Sequence, residues 1–240
     1  MGDVLSPARK LWLFDLDGTL VSPSEDQLHA WVTAFRDVFG IEAAPAAITP
    51  HLGLTFAGVV GAVANALGRT APSSRIPEAL AVYTRHVQEG LARRPARLLP
   101  AARELLQFLR QERGDLVGVI TGNFPGEGEP KLAGAGLRPL LDVVVFSDFA
   151  TSGRDSLIRR ALHGARRLGF SGGLPDTLVV GDSVHDVESG RRLGAVSVAV
   201  CTGLTPPDRL RGAKPDLVVP DLAGLLSNLR HAGAAWTPSG

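Results

Sequence analysis

Short apolar runs recur along this chain, and longer segments with helical spacing lie between them. Runs that are apolar throughout are typical of strands buried on both faces of a parallel sheet. Strand and helix patterns that alternate predict βα units around such a sheet. We therefore predict an α/β fold with a doubly wound parallel sheet. The predicted strands are Leu11–Phe14, Leu116–Ile120, Val143–Phe146, Thr177–Val180 and Ser197–Val200, with Leu217–Val219 as an edge strand.

Residues 21–95 form a different region, because their apolar side chains recur at helical intervals. Three helices are expected there, around residues 28–39, 56–67 and 80–91. Ser24 and Gln27 have the spacing of a capping box, which predicts the start of the first helix.

This helical region interrupts the α/β pattern, so it is expected to be an insert. Its predicted hinges are Val21–Pro23 and Arg93–Ala96. We expect a core formed by residues 1–20 and 96–240 and a helical cap formed by residues 21–95. Gly233–Gly240 is expected to be a loose tail.

Charge and composition exclude several classes of partner. The formal net charge is +1, which gives no electrostatic reason to expect nucleic acid or an anionic membrane as a partner. The N-terminus has no signal-peptide pattern, and no apolar run approaches the length that crosses a bilayer. We expect a cytoplasmic protein, either a monomer or a homodimer.

Acidic side chains follow the first predicted strand. Open α/β sheets bind ligands at the carboxyl ends of their strands. Asp15 and Asp17 leave the first strand on the same side, because strand side chains repeat every two residues. Two crowded carboxylates repel each other unless a cation neutralises them, and Mg²⁺ prefers oxygen ligands. The alternative is an ordinary acidic turn.

The fourth predicted strand also ends in acids. Asp182 follows the strand and Asp186 lies four residues later, so a turn entering a helix brings both carboxylates toward one side. The alternative for Asp186 is a favourable interaction with the helix dipole, which does not account for Asp182.

The second predicted strand ends in Thr121, Gly122 and Asn123. A hydroxyl and exposed amides at that position are suited to holding a phosphate by hydrogen bonds. A plain turn after the strand is the alternative.

Three segments resemble motifs of one family, the haloacid dehalogenase-like (HAD) hydrolases, most of which are Mg²⁺-dependent phosphatases. Phe14–Leu20 resembles the first motif, Thr121 the second and Gly181–Asp186 the fourth. The resemblance extends from Leu11 to about Leu229 and is to the phosphoglycolate phosphatase-like branch. It implies a Rossmann-like core with a helical cap that closes over the site.

The resemblance also implies roles for individual residues. Asp15 would attack phosphorus, and Asp17 would act as the general acid and base. Mg²⁺ would be held by Asp15, the main-chain carbonyl of Asp17 and Asp182, with Asp186 as a further metal-site acid. Thr121, Gly122, Asn123 and Arg154 would bind the phosphate. The implied substrate is a small phosphorylated metabolite.

The third motif of the family supplies a cation, and two residues compete for that role. Arg154 stands at the expected place, just before a helix predicted from about Ser156. Lys is commoner there in the family, but Arg keeps its charge and binds phosphate oxygens in a bidentate way. Lys131 is the alternative, in a segment, Pro130–Ala133, that is typical of an early helical position.

Single residues argue for or against other activities that occur on the same fold. Asp17 argues against a dehalogenase, and the absence of lysine from residues 21–95 argues against a phosphonatase with a cap Schiff base. A β-phosphoglucomutase-like phosphotransferase stays open, although Gln27 stands where that subgroup carries histidine. A non-catalytic regulator is a further alternative. His51 and Thr55, in a predicted cap loop, are candidates to reach the substrate.

Overall fold

The computed structural model of this chain describes residues 9–149, 151 and 153–232. The predicted tail, residues 233–240, lies outside the described residues. A six-stranded sheet has the order β3-β2-β1-β4-β5-β6, and all its pairings are parallel. Its strands are β1 (Leu11–Phe14), β2 (Leu116–Thr121), β3 (Val143–Phe146), β4 (Thr177–Gly181), β5 (Val196–Val200) and β6 (Leu217–Val219). The predicted α/β fold and all six predicted strands are confirmed.

Helices connect the strands and form the insert between β1 and β2. They are α1 (Glu25–Ala34), α2 (Pro45–Ile48), α3 (Phe56–Ala66), α4 (Ile76–Arg93), α5 (Ala102–Gln107), α6 (Pro125–Gly134), α7 (Arg154–Arg167), α8 (Val184–Leu193), α9 (Pro207–Gly212) and α10 (Leu222–Ala232). Within the described ranges, no helix has both the length and the apolar character needed to cross a membrane.

The two faces of the sheet pack against different helices. Trp12 and Phe14 belong to a buried cluster that includes residues of α5 and α10. Leu11 and Leu13 belong to another cluster that includes residues of α7. Because neighbouring strand side chains point to opposite faces, this division shows that helices cover both sides of the sheet. The sheet is therefore doubly wound, and β1 lies at its centre, where the strand order reverses direction.

The helical residues between β1 and β2 have a hydrophobic cluster of their own. Its largest buried side chains are Trp31, Phe35, Phe56 and Tyr83, from α1, α3, α4 and the π-helical turn that continues α1. That continuation ends at Gly40, which takes a left-handed conformation with φ +64°. All three predicted cap helices are present, and the short helix α2 is an addition to them.

The chain enters and leaves this helical segment along adjacent paths. Ser22 N–H donates to Arg97 O at 2.8 Å, and Leu99 N–H donates to Leu20 O at 2.9 Å. Both predicted hinges are close to these crossings. The division into a core and a cap remains a prediction, which we take up below.

Some local predictions are wrong. Ser24 does cap α1 by accepting from Asp26 N–H at 3.2 Å, but Gln27 does not complete a capping box. The side chain of Gln27 instead donates to Glu127 at 2.9 Å, because that buried carboxylate competes for its amide.

Helix α6 begins before the segment Pro130–Ala133 that was predicted as early helix, and α7 begins close to its predicted start near Ser156. Helix α6 begins at Pro125, so Lys131 lies in its second turn and not at its start. Proline favours the first helical position because its fixed φ suits the helix and no N–H is needed there. Helix α7 begins at Arg154 itself, after Gly153 with φ +140°.

Candidate functional site

The predicted site residues gather at the carboxyl edge of β1, β2 and β4. Asp15 N–H donates to Val180 O at 2.9 Å, which continues the β1–β4 pairing by one residue. The chain then turns back at Gly18, whose φ is +77°. A Cβ atom at Gly18 would lie 2.5 Å from Asp182 Oδ2. Glycine is therefore needed at position 18 both for the backbone conformation and for the close approach of Asp182, the acid that follows β4.

Arg154 joins the acid of β1 to an acid of α8. Its Nη1 donates to Asp15 Oδ1 at 2.8 Å. Its Nε lies 2.9 Å from Asp186 Oδ1, an ion pair without hydrogen-bond geometry. All three side chains are buried. Burial raises the pKa of Asp15 to about 7; Arg154 opposes the rise, and the nearby carboxylates of Asp186 and Asp17 add to it.

Helix α8 holds Asp186 in place. Ser183 is the N-cap, and its Oγ accepts from Asp186 N–H at 3.2 Å. In return Asp186 Oδ2 accepts from Ser183 N–H at 3.2 Å and from Ser183 Oγ at 2.5 Å, which completes a capping box. Asp186 therefore caps its helix through Oδ2, and its Oδ1 lies beside Arg154. Its role as a metal-site acid stays a prediction.

Three carboxylates form a cluster suited to a divalent cation. One oxygen each from Asp15, Asp182 and Asp186 lies within 4.8 Å of the other two. Burial raises the pKa of Asp182 well above its ordinary value, and the charges of Asp15 and Asp186 raise it further. Thr19 Oγ1 donates to Asp182 Oδ1 at 3.1 Å and opposes that rise.

A cation would relieve this crowding of negative charge, and carboxylate oxygens are the ligands that Mg²⁺ prefers. The residues present therefore fit a magnesium site. Glycines also leave room around the acids: a Cβ atom at Gly203 would overlap Asp182, and one at Gly181 would overlap Asp186.

Asp17 has a different environment from Asp15. Lys131 Nζ donates to both of its carboxylate oxygens, at 2.7 and 2.8 Å. Asn123 Nδ2 donates to Asp17 Oδ2 at 2.7 Å. The carboxylate of Asp17 is thus engaged by Lys131 and Asn123 and is not part of the three-acid cluster. A contribution of Asp17 to a metal site through its main-chain carbonyl stays a prediction.

The end of β2 faces the same space. Thr121 Oγ1 accepts from Asn123 N–H at 3.1 Å, which leaves the proton of its own hydroxyl for another acceptor. A Cβ atom at Gly122 would lie 3.4 Å from Leu54 O, so this glycine lies beside the loop before α3. Asn123 was expected to bind phosphate, and its amide donors are directed partly to Asp17 instead.

Glu127 is a buried residue that the sequence analysis did not identify. Its Oε1 accepts from Gln27 at 2.9 Å, from Tyr83 OH at 3.0 Å and from Lys131 Nζ at 2.6 Å. Burial raises the pKa of Glu127, and Lys131 opposes that rise. Gln27 and Tyr83 belong to the helical insert, so Glu127 connects the insert to Lys131 and, through it, to Asp17. A helix assigned from Pro125 would have revealed the Glu127–Lys131 pair at i,i+4 spacing.

A cavity of about 690 Å³ opens over these residues. It is lined by Asp15, Asp17, Asp182, Thr121 and Arg154, and also by residues of α1, α3, α4 and the segment 49–54 of the insert. The two candidates from the predicted cap loop, His51 and Thr55, differ in whether they line this cavity. His51 lines the cavity, whereas Thr55 is absent from its lining and caps α3 by accepting from Gly58 N–H at 3.2 Å.

Each of the two candidate cations contacts one of the acids that follow β1, but they contact different acids. Arg154 contacts Asp15 and lines the cavity. Lys131 contacts Asp17, is 1% exposed and is not among the residues that line the cavity. Of the two candidates, Arg154 is therefore the one that faces the cavity.

Comparison with known proteins gives one consistent family. Residues 10–194 match the family described as "Hydrolase: haloacid dehalogenase-like hydrolase". The chain is 30% identical over 235 residues to the phosphoglycolate phosphatase of Haemophilus influenzae, covering 92% of this chain and 98% of that one. It is 27% identical over 212 residues to the "Probable phosphatase IndB" of Dickeya dadantii, covering 88% and 89%.

A solved structure of a hydrolase from Pseudomonas syringae has the same fold. Its TM-score is 0.79 at 22% identity, and the match covers 93% of this chain and 99% of that one. The family match spans β1 through α8, which carry all the acids gathered at the sheet edge. The chain therefore belongs to the haloacid dehalogenase-like hydrolases.

Proposed function

We propose that this HAD-family phosphoric monoester hydrolase is a Mg²⁺-dependent phosphatase that cleaves a small phosphorylated metabolite through a phosphorylated Asp15. The observation that carries the proposal is that two neighbouring carboxylates, those of Asp15 and Asp17, lie in different environments. Asp15 lies against Arg154 in an acidic cluster, and Asp17 lies against Lys131 and Asn123. Carboxylates held in contrasting environments are suited to different roles in one reaction.

In the first step, Asp15 attacks phosphorus in line with the ester oxygen. A bond forms between Asp15 and phosphorus, and the bond from phosphorus to the alcohol oxygen breaks. Asp17 gives its proton to that oxygen, so the product leaves as an alcohol. Lys131 and Asn123 fix the position of the Asp17 carboxylate during this transfer.

In the second step, water attacks the phosphorus of the aspartyl phosphate. Asp17, now a carboxylate, takes a proton from the water, and the bond between Asp15 and phosphorus breaks. Inorganic phosphate leaves, and Asp15 and Asp17 return to their starting states. The net reaction consumes one ester and one water and yields one alcohol and one phosphate.

The phosphate would lie between the ends of β1 and β2. The Thr121 hydroxyl and the amides near Gly122 would donate to its oxygens, and Arg154 would supply positive charge; all three positions line the cavity. Asn123 contributes mainly by orienting Asp17.

A metal site completes the proposal. Asp15, Asp182, Asp186 and the main-chain carbonyl of Asp17 would hold Mg²⁺. When bound, the ion neutralises charge on the phosphoryl oxygens and on the clustered carboxylates.

We also infer that the chain divides into a core, residues 1–20 and 96–240, and a cap, residues 21–95. The separate hydrophobic cluster of α1, α3 and α4 supports this division, as do the adjacent crossings near Ser22 and Leu99. A cap that moves on these crossings would admit substrate and then exclude water from the site.

The test is release of inorganic phosphate from a panel of phosphate esters, with Mg²⁺ and with a chelator. Turnover should require both Mg²⁺ and Asp15, so Asp15→Asn should remove it. Asp208→Asn is the matched control, since Asp208 is 97% exposed and lies outside the site. Equal turnover with the chelator, or full turnover in Asp15→Asn, would contradict the proposal.

The fate of the phosphoryl group distinguishes a phosphatase from the alternative, a phosphotransferase. Gln27, at the position where that subgroup carries histidine, is tied to Glu127. Release of one phosphate per ester consumed supports hydrolysis, whereas conversion of one phosphate ester into an isomer would support transfer.

A further inference from the structure

The cap side of the cavity is built largely from apolar side chains. Trp31 and Phe56 stack with their ring centroids 4.5 Å apart, and Tyr83 lies 4.6 Å from Trp31. Phe124, from the core, meets Phe56 edge to face at 6.2 Å. All four rings line the cavity, together with Leu54. A bound substrate would therefore meet an aromatic and aliphatic wall opposite the phosphate site.

Three polar side chains of this wall are used within the protein, and His51 is a fourth that lines the cavity. Gln27 and Tyr83 both donate to Glu127, and Thr49 Oγ1 donates to Pro45 O at 2.9 Å. The polar atoms of Gln27, Tyr83 and Thr49 are therefore already hydrogen-bonded and do not form a dense hydrogen-bonding surface for a substrate. A sugar, which carries a hydroxyl on most carbons, would leave many of its hydroxyls without partners here.

Fixed positive charge is also missing from the wall. Of the described residues that line the cavity, none of those between 25 and 93 is lysine or arginine. Two arginines line it from the core. Arg154 is engaged by Asp15 and Asp186, and Arg209 is an exposed residue of α9 at the rim, where water screens its charge. The exposed acid Glu188 lines the same cavity.

From this arrangement we infer that the substrate is the phosphate monoester of an uncharged alcohol with an apolar, ring-sized body. The inference rests on the phosphatase activity proposed above. A carboxylate or a second phosphate on the leaving group would be desolvated against the aromatic wall without a cation to pair with it. An apolar ring in the same position would instead exchange contact with water for contact with Trp31, Phe56 and Phe124. A cavity of this size is within the usual range for small-molecule sites and exceeds the needs of a two-carbon ester.

The test compares kcat/KM for benzyl phosphate, ethyl phosphate and phosphoglycolate with saturating Mg²⁺ at pH 8. All three are esters of primary alcohols, so differences report mainly on the cavity. Benzyl phosphate should be preferred over phosphoglycolate by at least ~10-fold. Equal values, or a preference for phosphoglycolate, would overturn the inference and leave the phosphatase proposal standing. Absence of Asp15-dependent turnover with every ester would overturn both.

Two variants test the wall directly. Phe124→Ala should lower the ratio of kcat/KM for benzyl phosphate to that for ethyl phosphate by ~10-fold. Phe39→Ala is the matched control, a half-buried phenylalanine that packs in the cap but does not line the cavity, and it should leave the ratio unchanged.

Leu54→Lys places a cation on the wall and should raise kcat/KM for phosphoglycolate relative to benzyl phosphate. Loss of activity toward phosphoglycolate in Arg209→Ala, with benzyl phosphate unaffected, would show that a rim arginine selects an acidic substrate and would contradict the inference. An unchanged substrate ratio in both Phe124→Ala and Leu54→Lys would contradict it as well.

Discussion

Lys131 and Asp17 form a close ion pair, with Nζ 2.7 and 2.8 Å from the two carboxylate oxygens. The same ammonium donates to Glu127 at 2.6 Å, so one buried cation serves two acids. Removing it would leave the carboxylate of Glu127 buried without a counter-charge. This arrangement makes Lys131 a structural support of Asp17, the proposed acid and base.

Lys131→Met should therefore destabilise the protein strongly, by ~3–5 kcal/mol in the free energy of unfolding. Replacing Glu127 by Gln in the same chain removes the unpaired charge. The double variant Glu127→Gln/Lys131→Met should then be more stable than the sum of the two single effects by at least ~1 kcal/mol. Urea unfolding of the four proteins measures this coupling. Simple additivity would show that the buried pair does not act as a unit.

Asp17→Asn removes the proposed proton donor to the leaving alcohol. We expect kcat for benzyl phosphate to fall by ~10²–10⁴-fold. For p-nitrophenyl phosphate the loss should be much smaller in the first step, because its leaving group needs little protonation. Single-turnover release of each alcohol measures that step. Equal losses for the two esters would argue that Asp17 acts only by holding the site together.

Gly203, in the loop after β5, lies directly against Asp182 of the proposed metal site. A Cβ atom there would overlap Asp182 Oδ2, so Gly203→Ala should displace that carboxylate. The expected result is a ~10–100-fold loss in Mg²⁺ affinity, measured by titrating the ion against turnover and by calorimetry. Gly212→Ala is the control, because a Cβ atom at Gly212 meets nothing within 4 Å. A Mg²⁺ affinity that is the same in the two variants would contradict the assignment of Asp182 as a ligand.

The stability of the metal-free protein should depend on pH in a defined direction. Burial raises the pKa of Asp15 from 3.8 to about 7, so the folded state binds this proton more tightly than the unfolded state. The free energy of unfolding should therefore fall as pH rises from about 4 to about 7. Asp182 and Glu127, whose pKa values are also raised, act in the same direction.

Urea unfolding with a chelator at several pH values across that window measures the slope. Asp15→Asn should give a shallower slope, and saturating Mg²⁺ should do the same in the unaltered protein, since the ion binds the deprotonated acids. An identical slope in all three conditions would show that these carboxyls do not bind protons differently in the folded state.

Much of the site could be predicted from the chain because strand ends are easily located. Asp15, Thr121 and Asp182 each follow an apolar run, and a parallel sheet brings the ends of such runs to one edge. Arg154 was identified from its place in the family pattern, and the structure shows its contact with Asp15.

The missing part of the site depends on packing between distant helices. Glu127 acquires its importance from Gln27 and Tyr83, about 100 and 44 positions away, and nothing in the local pattern around it indicates those partners. Gln27 was assigned to a capping box because local rules cannot reveal a competing buried carboxylate. The wall formed by Trp31 and Phe56 has the same origin, since helical spacing indicates burial but not which rings border a cavity.

The most direct test of the account is to look for the phosphorylated Asp15 itself. The enzyme with Mg²⁺ is mixed with benzyl phosphate, quenched within one turnover and treated with borohydride, which reduces an acyl phosphate to an alcohol. Peptide mass spectrometry should then find homoserine in place of aspartate at position 15, and should find none in protein treated without substrate. Unmodified Asp15 during active turnover, or homoserine at position 17 instead, would contradict the account.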